Sequence, residues 1–509
     1  MVRLHQDLEG REFTYSDILV LPGITNFEVK DVDMSTYLSK NIRINLPFLS
    51  SPMDTVTEHK MAIALALHGG VGVIHYNFYG AGVSNFAQNV ERQKEELKKV
   101  KKFEGGFVEE PITLGPLSKV SDAERIRKKY DISNIPITED GSSHGRLIGA
   151  VNSYCYHTRH DENKNIENVM LKLDEILYVK WGDIAGGENT PLEAANKILL
   201  SKKAGVLYIT DDEGNLKYIV TRKDIDKNEE FPYASKDSKK RLMVGAAIES
   251  RREKAMQRLE AINSLIDFAV IDTSHAAIES IGKLIKEIKE KYRNLEVIVG
   301  NVSTADGARF LIENNADAIK VGTGSGSICT TIEVTGVGRQ QGIAVYECSC
   351  IARKLQKKYG YVPVIADGGI KKHGDLLKAL ALGADSIMMG SMFAATEEAP
   401  GEIKEINGMK VKTYRGMGSL EAMMEGGAVR YGLDEIKERA PEGISKDIPY
   451  KGSVVPIIKQ MKAALAQGMH KAGARTIKEL HEKAHIAPAN KEEAAPHILK
   501  ESQTYNSLR

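Results

Sequence analysis

Short runs of apolar residues, rich in valine and isoleucine, recur along the chain and end on small or polar residues. Eight such runs lie at residues 46–53, 71–77, 242–248, 268–274, 296–301, 318–324, 362–369 and 385–391. Most are separated by segments with helical periodicity, such as REKAMQRLEAINSL, SIGKLIKEIKEKY and GDLLKALALG. Near-continuous apolar strands that alternate with helices are typical of a parallel sheet buried on both faces. The pattern therefore predicts an α/β fold.

The number of strand–helix units favours one architecture within this class. Eight units are the count of a closed (β/α)8 TIM barrel. An open, doubly wound parallel sheet is the alternative, but the glycine fingerprint GxGxxG that opens a helix after an early strand is missing. We therefore predict the barrel.

Chemically useful residues follow the predicted strands at their C-terminal ends. They are Ser51, Met53, Asn77, Asp272, Asn301, Cys329, Asp367, Gly390 and Ser391. Each one alone is compatible with an ordinary strand cap or turn. Their recurrence at the strand ends indicates a functional site, because barrel enzymes assemble their sites on this face.

About 165 residues between the second and third strands do not fit the repeating unit. Two stretches within them resemble each other, and each predicts a helix, a strand, an acidic-glycine turn (Asp140-Gly141 and Glu213-Gly214) and a second strand. The pair is similar to tandem CBS modules, which implies an inserted domain over residues 108–230 that binds ATP or GTP. Thr221 and Asp224 match nucleotide-contacting positions of such modules, whereas the first copy departs from them with VNSYCYHTRHD.

Composition and charge exclude several classes of partner. Hydrophobic residues make up 42% of the chain, charged residues 27%, and the net charge is +1, so no nucleic acid or anionic membrane partner is expected. No apolar run reaches signal-peptide or membrane-spanning length. The four cysteines lack the spacing of a zinc site or disulfide framework, which favours a reducing, cytoplasmic setting.

One cysteine lies in a glycine-rich turn, GSGSICTT, which spans residues 324–331. Backbone amides of such a turn suit an anion, and its carbonyls suit a cation. Gly390 and Ser391 form a second candidate phosphate loop, and Asp367 is placed to accept two hydroxyl groups, as from a ribose. Together these elements predict a nucleoside monophosphate site beside Cys329.

Cys329 is a candidate nucleophile, since a thiolate attacks electron-poor carbon and is favoured by nearby positive potential. The loop amides and Lys320 are candidate sources of that potential. The alternative is that Cys329 fills apolar space, as free cysteines often do. For Cys348 and Cys350, which lie on a helical pattern, the filler interpretation is favoured.

A long segment from YRGMGS to PYKG, at about residues 414–450, is rich in glycine and does not fit a core helix. Long structureless loops in compact domains are usually functional. The segment is therefore predicted to close over the site or to deliver a catalytic base. Arg430 and Tyr431 are the ionisable residues in it that are candidates for this role.

These motifs resemble the IMP dehydrogenase / GMP reductase family, and within it the IMP dehydrogenases, along nearly the whole chain. The motifs are SSPMDTVTE, GVGVIH, VGN, VGTGSGSICTT, ADGGI, GSMFAATEEAPGE, TYRGMGSLEAM, Arg430-Tyr431 and PEGI followed by PYKGSV. The resemblance implies a catalytic barrel from residues 1–107 and 231–509, an inserted CBS pair and a mobile flap at about 414–450.

The resemblance implies oxidation of IMP to XMP with NAD as hydride acceptor and K⁺ as an activating ion. Cys329 would add to C2 of the hypoxanthine ring, and Arg430, oriented by Tyr431, would later activate the hydrolytic water with help from Thr331. The implied IMP ligands are Ser51, Met53, Ser327, Asp367, Gly369, Gly390, Ser391, Tyr414, Met417, Gly418 and Glu442. The implied cofactor side comprises Asp272, Ser274, Asn301, Gly322 and Gly324. The implied K⁺ ligands are carbonyls of Gly324, Gly326 and Cys329, and a homotetramer or octamer is expected.

Three departures leave alternatives open. The motif near the cofactor reads Asp272-Thr273-Ser274-His275-Ala276-Ala277, which lacks a family glycine. The residues Arg339-Gln340-Gln341 and Glu347-Cys348 resemble GMP reductase, which converts GMP to IMP with NADPH. The C-terminal tail follows the family tail only in part. GMP reductase and a catalytically inactive, nucleotide-sensing CBS protein are therefore the alternative functions.

Overall fold

A computed structural model describes residues 3–79, 83–103, 107–108, 111–130, 132–186, 191–222, 231–424 and 440–489. The chain divides into two compact units. One comprises Met1–Lys101, Tyr233–Ser235 and Leu242–Arg509, and the other comprises Lys102–Pro232 and Lys236–Arg241.

The first unit contains a closed barrel of eight strands. In chain order, β1 to β8 are Phe48–Ser50, Val71–Ile74, Val244–Ile248, Phe268–Asp272, Glu296–Val302, Ala318–Val321, Val364–Asp367 and Ser386–Met389. All neighbours pair in parallel, and the ring closes where Ile387 of β8 lies opposite Phe48 of β1. The predicted (β/α)8 TIM barrel is confirmed, and each predicted apolar run contains or overlaps one strand.

Along the chain, each barrel strand is followed by a helix before the next strand or the end of the barrel. These helices, α1 to α8, are His59–Leu67, Phe86–Phe103, Arg252–Ile262, Glu279–Lys291, Ala305–Glu313, Gln341–Tyr359, His373–Ala381 and Val454–Lys471. In α4 the buried positions Ile281, Leu284, Ile285 and Ile288 follow the helical repeat. Burial of each such side chain stabilises the fold by about 1.5–3 kcal/mol.

The barrel interior is filled by side chains rather than left open. Its core includes Leu49, Val73, Phe268, Ile298 and Met388. At Gly72 a Cβ atom would lie 2.5 Å from the Ala62 Cα atom, so only glycine permits this close approach of α1 to β2. The polar strand ends are thereby held on a rigid support.

Shorter elements complete the first unit. Three-stranded sheets are formed by Arg3–Leu4, His485–Pro488 and Ile18–Val20, and by Lys404–Ile406, Met409–Arg415 and Ser445–Pro449, while Thr36–Tyr37 pairs with Arg43–Ile44. Where the structure describes this unit, its other helical segments are Gln6–Leu8, Tyr15–Asp17, Val29–Asp31, Asn263–Leu265, Thr331–Thr335, Leu420–Met424 and Ile477–Lys483. Among the described helices, none combines the length and apolar character that crossing a membrane requires.

The second unit contains the two similar stretches, and both have the predicted order of elements. The first has Val120–Tyr130, Asn134–Thr138, Leu147–Asn152, Ile166–Asn168 and Leu171–Lys172. The second has Leu173–Glu175, Tyr178–Lys180, Trp181–Ala185, Pro191–Lys202, Val206–Thr210 and Leu216–Thr221. The hairpin turns use left-handed glycines, Gly141 at φ +77° and Gly214 at φ +88°. Each copy has its own buried cluster, around Ile135 in the first and Leu207 in the second.

Candidate active site

A pocket of about 150 Å³ lies at the C-terminal ends of the barrel strands. Its lining includes the described residues predicted to act in catalysis or to bind IMP, the cofactor or K⁺: Ser51, Met53, Asp272, Ser274, Asn301, Gly322, Gly324, Gly326, Ser327, Cys329, Thr331, Asp367, Gly369, Gly390, Ser391, Tyr414, Met417, Gly418 and Glu442. Asn77, also predicted at a strand end, does not line the pocket and instead donates to Asp54. Arg430, Tyr431 and Asp224 lie outside the described residues. The strand ends therefore converge as the sequence predicted.

Cys329 is presented by the loop that follows β6. The loop folds back through a hydrogen bond from the Cys329 amide to the Gly326 carbonyl oxygen at 3.1 Å. Gly324 has φ +75°, and a Cβ atom there would lie 2.4 Å from the Ile332 side chain, so this position requires glycine. Cys329 is only partly buried, and it lines the pocket instead of filling the core.

Three side chains form a hydrogen-bonded row beside the pocket. The Cys329 Sγ atom lies 3.1 Å from the Thr331 Oγ1 atom, and the Thr331 hydroxyl donates to Glu442 Oε2 at 2.8 Å. Because the carboxylate accepts the hydroxyl proton of Thr331, the Thr331 oxygen is available to accept from the thiol. The row therefore offers a proton path from Cys329 to Glu442.

The segment that carries Glu442 is joined to the cysteine loop through the backbone. The Thr330 amide donates to the Glu442 carbonyl at 3.1 Å, and the Ile444 amide donates to the Ile328 carbonyl at 3.0 Å. The Gly416 amide also donates to the Ile444 carbonyl at 3.0 Å. Both described ends of the predicted flap are thus fixed beside the nucleophile.

The floor of the pocket contains a buried ammonium group. Lys320 Nζ lies 2.8 Å from Asp272 Oδ1 and 2.5 Å from Asp367 Oδ2, and it also contacts the Asn301 Oδ1 atom. The charge of Lys320 is therefore compensated by two carboxylates. The sequence-based hypothesis that Lys320 provides positive potential for the thiolate is not supported by this arrangement.

A glycine turn and a glutamine position Asp367. Gly368 and Gly369 have φ values of +91° and +78°, which bring the Gly369 amide to the Ser325 carbonyl at 3.1 Å. The Gln341 amide nitrogen donates to the carbonyl oxygens of Val321 (2.9 Å) and Asp367 (3.1 Å). The sequence analysis did not identify Gln341 as a site residue, because its partners lie on distant strands.

The opposite end of the pocket is suited to a phosphate group. Gly390 and Ser391 follow β8, and the Lys451 ammonium donates to the Ser391 carbonyl oxygen at 2.5 Å. Burial raises the pKa of Tyr414 to about 12, against the opposing effect of its hydrogen bond with Ser327. The Tyr414 hydroxyl therefore stays protonated and can donate. Lys451 was not among the predicted site residues.

An ion pair joins two loops that line the pocket. The Arg415 guanidinium contacts the Asp54 carboxylate at 2.9 Å, and Asn77 Nδ2 donates to the same carboxylate at 2.6 Å. Asp54 follows Met53 directly, whereas Arg415 lies between Tyr414 and Met417. The pair fixes these two pocket loops relative to each other. No local pattern in the sequence indicates a pairing over this separation.

The predicted flap is more regular at its ends than the sequence indicated. Residues at both ends form strands, since Met409–Arg415 pairs antiparallel with Ser445–Pro449. A short helix, Leu420–Met424, follows the first strand. The interpretation of the whole segment 414–450 as structureless is therefore wrong for these parts. Alternating apolar and polar residues in KVKTYR contained the missed strand signal.

The fold and the pocket define a (β/α)8-barrel protein that presents a pocket-lining cysteine between a candidate sugar-binding carboxylate and a candidate phosphate loop. The chain matches the sequence model of the IMP dehydrogenase / GMP reductase domain over residues 12–497. It therefore belongs to the IMP dehydrogenase / GMP reductase family.

Individual relatives agree with this assignment. The chain is 40% identical to inosine-5'-monophosphate dehydrogenase of Bacillus subtilis (strain 168) over 97% of this chain and 97% of the relative. It is 39% identical to inosine-5'-monophosphate dehydrogenase of Toxoplasma gondii, over 92% of this chain and 91% of the relative. Among solved structures, a cysteine-to-alanine variant of GMP reductase from Trypanosoma brucei in complex with guanosine 5'-monophosphate matches with a TM-score of 0.84 and 29% identity, covering 96% of this chain and 98% of that chain.

Proposed function

We propose that the chain oxidises IMP to XMP with NAD as the hydride acceptor. The observation that carries this proposal is the placement of Cys329 at 3.1 Å from Thr331, which in turn donates to Glu442, inside a pocket with sugar-binding and phosphate-binding candidates at its two ends. Full-length similarity to IMP dehydrogenases at about 40% identity supports the same reaction.

In the first step of the proposed mechanism, the Cys329 thiolate forms a C–S bond at C2 of the hypoxanthine ring, and the C2 hydrogen departs with its electron pair. When bound, NAD accepts that hydride. The Thr331–Glu442 hydrogen bond supports this step, because a carboxylate can take the thiol proton through the Thr331 hydroxyl.

In the second step, water attacks C2, the C–S bond breaks, and the thiolate is regenerated while a base takes the water proton. We assign the base role to Arg430, oriented by Tyr431, from the family resemblance alone, since both lie outside the described residues. Thr331 lies beside Cys329 and is placed to orient the water. By the family resemblance, the flap would bring Arg430 to this side of the pocket for the second step.

For substrate binding we propose two ends. Asp367 would accept the ribose hydroxyls, and Gly390, Ser391, Ser327 and Tyr414 would hold the 5'-phosphate. Main-chain amides and a hydroxyl that stays protonated suit a phosphate dianion. The remaining proposed IMP contacts are Ser51, Met53, Gly369, Met417, Gly418 and Glu442.

The cofactor would lie over the ends of β4 and β5. Asp272, Ser274 and Asn301 line the pocket there with Gly322 and Gly324. The departure at Ala276 is structurally accommodated, since Ala276 is buried and its amide donates to the Asn301 carbonyl at 2.8 Å. The pocket therefore retains polar groups for a nicotinamide carboxamide in spite of the missing family glycine.

We also propose that the cysteine loop binds K⁺ through carbonyl oxygens of Gly324, Gly326 and Cys329. All three belong to one turn, whose conformation at Gly324 excludes a side chain. Neutral carbonyl oxygens are the donors that K⁺ uses in proteins. A bound K⁺ would stabilise the loop conformation that presents Cys329.

The K⁺ proposal predicts faster turnover in potassium than in sodium at equal ionic strength. The difference should be about tenfold or more if ordering the cysteine loop without K⁺ requires about 1.4 kcal/mol. Initial rates with IMP and NAD in KCl, NaCl and a tetramethylammonium control measure this difference. Equal rates in all three salts would remove K⁺ from the mechanism.

The central experiment compares two reactions on the same preparation. The protein is incubated with IMP and NAD, and separately with GMP and NADPH, while nicotinamide absorbance is followed and purine products are identified by chromatography. XMP and NADH in equal amounts from the first mixture support the proposal. Ammonia and IMP from the second mixture, with an inactive first mixture, contradict it.

GMP reductase is the second candidate, and two observations favour it. Solved structures of GMP reductase from Trypanosoma brucei are similar along nearly the whole chain. Glu347, which resembles the reductase pattern, is present in α6. In this structure, however, the Glu347 carboxylate is held by the Arg339 guanidinium at 2.6 and 2.9 Å, and the hydrogen bond with Glu347 raises the pKa of Arg339. Glu347 is therefore held in an ion pair. The higher identity to IMP dehydrogenases, 40% against 29% for the GMP reductase structure, favours the dehydrogenase.

We further propose that residues 108–230 form a tandem CBS domain that regulates the barrel by binding ATP or GTP. The duplicated helix and hairpin support this assignment, and Thr221 ends the last strand of the second copy. The barrel would comprise residues 1–107 and 231–509, in a homotetramer or octamer in the cytoplasm. If the protein were instead a catalytically inactive nucleotide sensor, neither IMP with NAD nor GMP with NADPH would react.

A further inference from the structure

Lys320 lies next to the last residue of β6, and its side chain is 0% exposed. Three of its partners come from the ends of three other strands: Asp272 from β4, Asn301 from β5 and Asp367 from β7. Lys320 thus connects the carboxylate on the proposed sugar side with polar groups on the proposed cofactor side.

Lys320, Asp272 and Asp367 form a group with more negative than positive charge. One ammonium group faces two carboxylates, so the three side chains together carry a net charge of −1 when all are ionised. A buried charge is tolerated only when it is paired and hydrogen-bonded. Asp272 and Asp367 therefore share the Lys320 ammonium. When one carboxylate binds the ammonium less strongly, the other carboxylate binds it more strongly.

Asn301 strengthens this connection. Its Nδ2 group donates to Asp367 Oδ2 at 3.0 Å and to the Gly322 carbonyl at 2.6 Å, while its Oδ1 atom accepts from Lys320. Asp367 Oδ2 is thus engaged by both Lys320 and Asn301, which orients Oδ1 as the oxygen that meets hydroxyl donors in the pocket. The orientation of the proposed sugar-binding carboxylate, Asp367, therefore depends on Lys320 and on Asn301 of the proposed cofactor side.

We propose that Lys320 is a positioning residue that couples the binding of IMP to the binding of the dinucleotide, an inference that rests on the proposed function. Hydroxyl donors at Asp367 withdraw electron density from that carboxylate and shift the ammonium towards Asp272 and Asn301. Both of these residues are then held in place for the cofactor. By thermodynamic linkage, the cofactor must raise the affinity for IMP by the same factor.

The test uses the full chain with Cys329→Ala, which binds both nucleotides without turnover under the proposed mechanism. Calorimetric titration gives the Kd of IMP with and without saturating NAD, and the Kd of NAD with and without saturating IMP. With Lys320 present we expect each ligand to tighten the other by about fivefold or more. With Lys320→Met added, the coupling should fall below about twofold, and Lys320→Arg should restore it.

Controls separate coupling from general stability. Lys101 is a matched buried lysine, paired with Asp267 at 2.7 Å but absent from the pocket lining, so Lys101→Met should leave the coupling unchanged. If Lys320→Met does not fold, Asp272→Asn serves instead, because it leaves the Lys320–Asp367 pair intact and should still lower the coupling.

The role of Lys320 and the proposed function are contradicted by different results. Unchanged coupling in a folded Lys320→Met or Asp272→Asn variant overturns the role of Lys320. Absence of IMP and NAD binding to Cys329→Ala, with binding of GMP and NADPH in their place, overturns the proposed function. In that case the same coupling ratios are measured with GMP and NADPH, so the role of Lys320 is still decided.

Discussion

Two cysteines of this chain differ in the environment that decides thiol reactivity. Cys329 lies on a glycine-rich loop and lines the pocket, with Thr331 Oγ1 at 3.1 Å. Cys348 is fully buried in α6, and burial raises its pKa to about 12. Because the thiolate is the nucleophile, Cys348 is inert at neutral pH, and of these two cysteines Cys329 is the one placed to react.

We therefore predict that Cys329→Ala abolishes turnover while the Kd of IMP changes less than about threefold, since one lost contact is worth less than about 1 kcal/mol. Cys348→Ala is the matched control. It should keep nearly full turnover and lose about 1 kcal/mol of stability from the small cavity. Steady-state NADH formation and calorimetry measure both. Substantial NADH formation by Cys329→Ala would contradict the nucleophile assignment.

Lys451 predicts a pH dependence of substrate binding. Desolvation lowers its pKa to about 8, and its ammonium lies beside the proposed phosphate loop at Ser391. Below pH 8 the protonated side chain attracts the phosphate dianion, and this attraction is lost as the pH rises through 8. The Kd of IMP should therefore increase between pH 7 and 9.5, by about fivefold or less, because the Lys451 side chain is exposed and a solvent-exposed ion pair contributes about 0–1 kcal/mol.

The control for this prediction is Lys451→Gln, measured by the same titrations. IMP itself changes ionisation in this range, but that contribution is common to both proteins. The substituted protein should start with weaker binding and show a smaller increase with pH. Parallel pH profiles for the two proteins would show that Lys451 does not sense the phosphate.

The sequence predicted individual site residues better than their partners. Cys329, Asp367 and Gly390 were identifiable because each closes an apolar strand with a residue of distinct chemistry. Gln341 and the Asp54–Arg415 pair were not, and Lys320 was identified with a different role, because these roles arise from contacts between different strands and loops. Local periodicity carries no information about such contacts.

At the scale of elements, the strands were predictable because the interior of a parallel barrel requires apolar residues on both faces. The run VPVIADGG contains β7, and the strand ends at Asp367, where polarity begins. The antiparallel pair Met409–Arg415 and Ser445–Pro449 was missed. Both strands carry charged residues, and Ser445–Pro449 has no buried residue, so the strand signal in the sequence is weak.

The flap predicts separable steps of the reaction. If Arg430 is the base for hydrolysis, Arg430→Ala should show a first burst of one NADH per site at a normal rate. Turnover should then slow by about 10²–10⁴-fold, the usual cost of losing a positioned proton acceptor, and an adduct should accumulate on Cys329. Stopped-flow absorbance and intact-protein mass spectrometry measure the burst and the adduct.

Glu442→Gln is the comparison for this experiment, because the described hydrogen bond to Thr331 connects it to the thiol. It should slow the burst itself, since it impairs thiol deprotonation. Loss of the burst in Arg430→Ala would mean that Arg430 serves substrate binding or hydride transfer. Unchanged turnover would mean that it is a solvated loop residue.

At the scale of the whole molecule, the division into two compact units predicts a separation of roles. Among the residues of Lys102–Pro232 and Lys236–Arg241 that the structure describes, none lines the pocket described above. Replacement of residues 108–230 by a short linker should leave turnover within about threefold of the intact chain, as expected when a compact domain is removed from another. The response to ATP or GTP should disappear.

Circular dichroism and thermal melting establish that the shortened protein is folded before rates are compared. A single substitution, Thr221→Ala, offers a milder version, with the nucleotide response weakened and basal turnover kept. A folded deletion variant without activity would show that the inserted unit contributes to catalysis.

Ring closure has a consequence for biosynthesis. Phe48 of β1 pairs with Ile387 of β8, so the two edges that complete the ring are separated by about 340 residues of chain. At ribosomal rates of about 5–20 residues per second, β1 waits about 20–70 s for its partner. During that interval the nascent sheet exposes unpaired backbone groups at its edge and apolar side chains on its faces, which favours aggregation. Synonymous codons that slow elongation after β2 should therefore lower the soluble yield without altering the specific activity of the protein that folds.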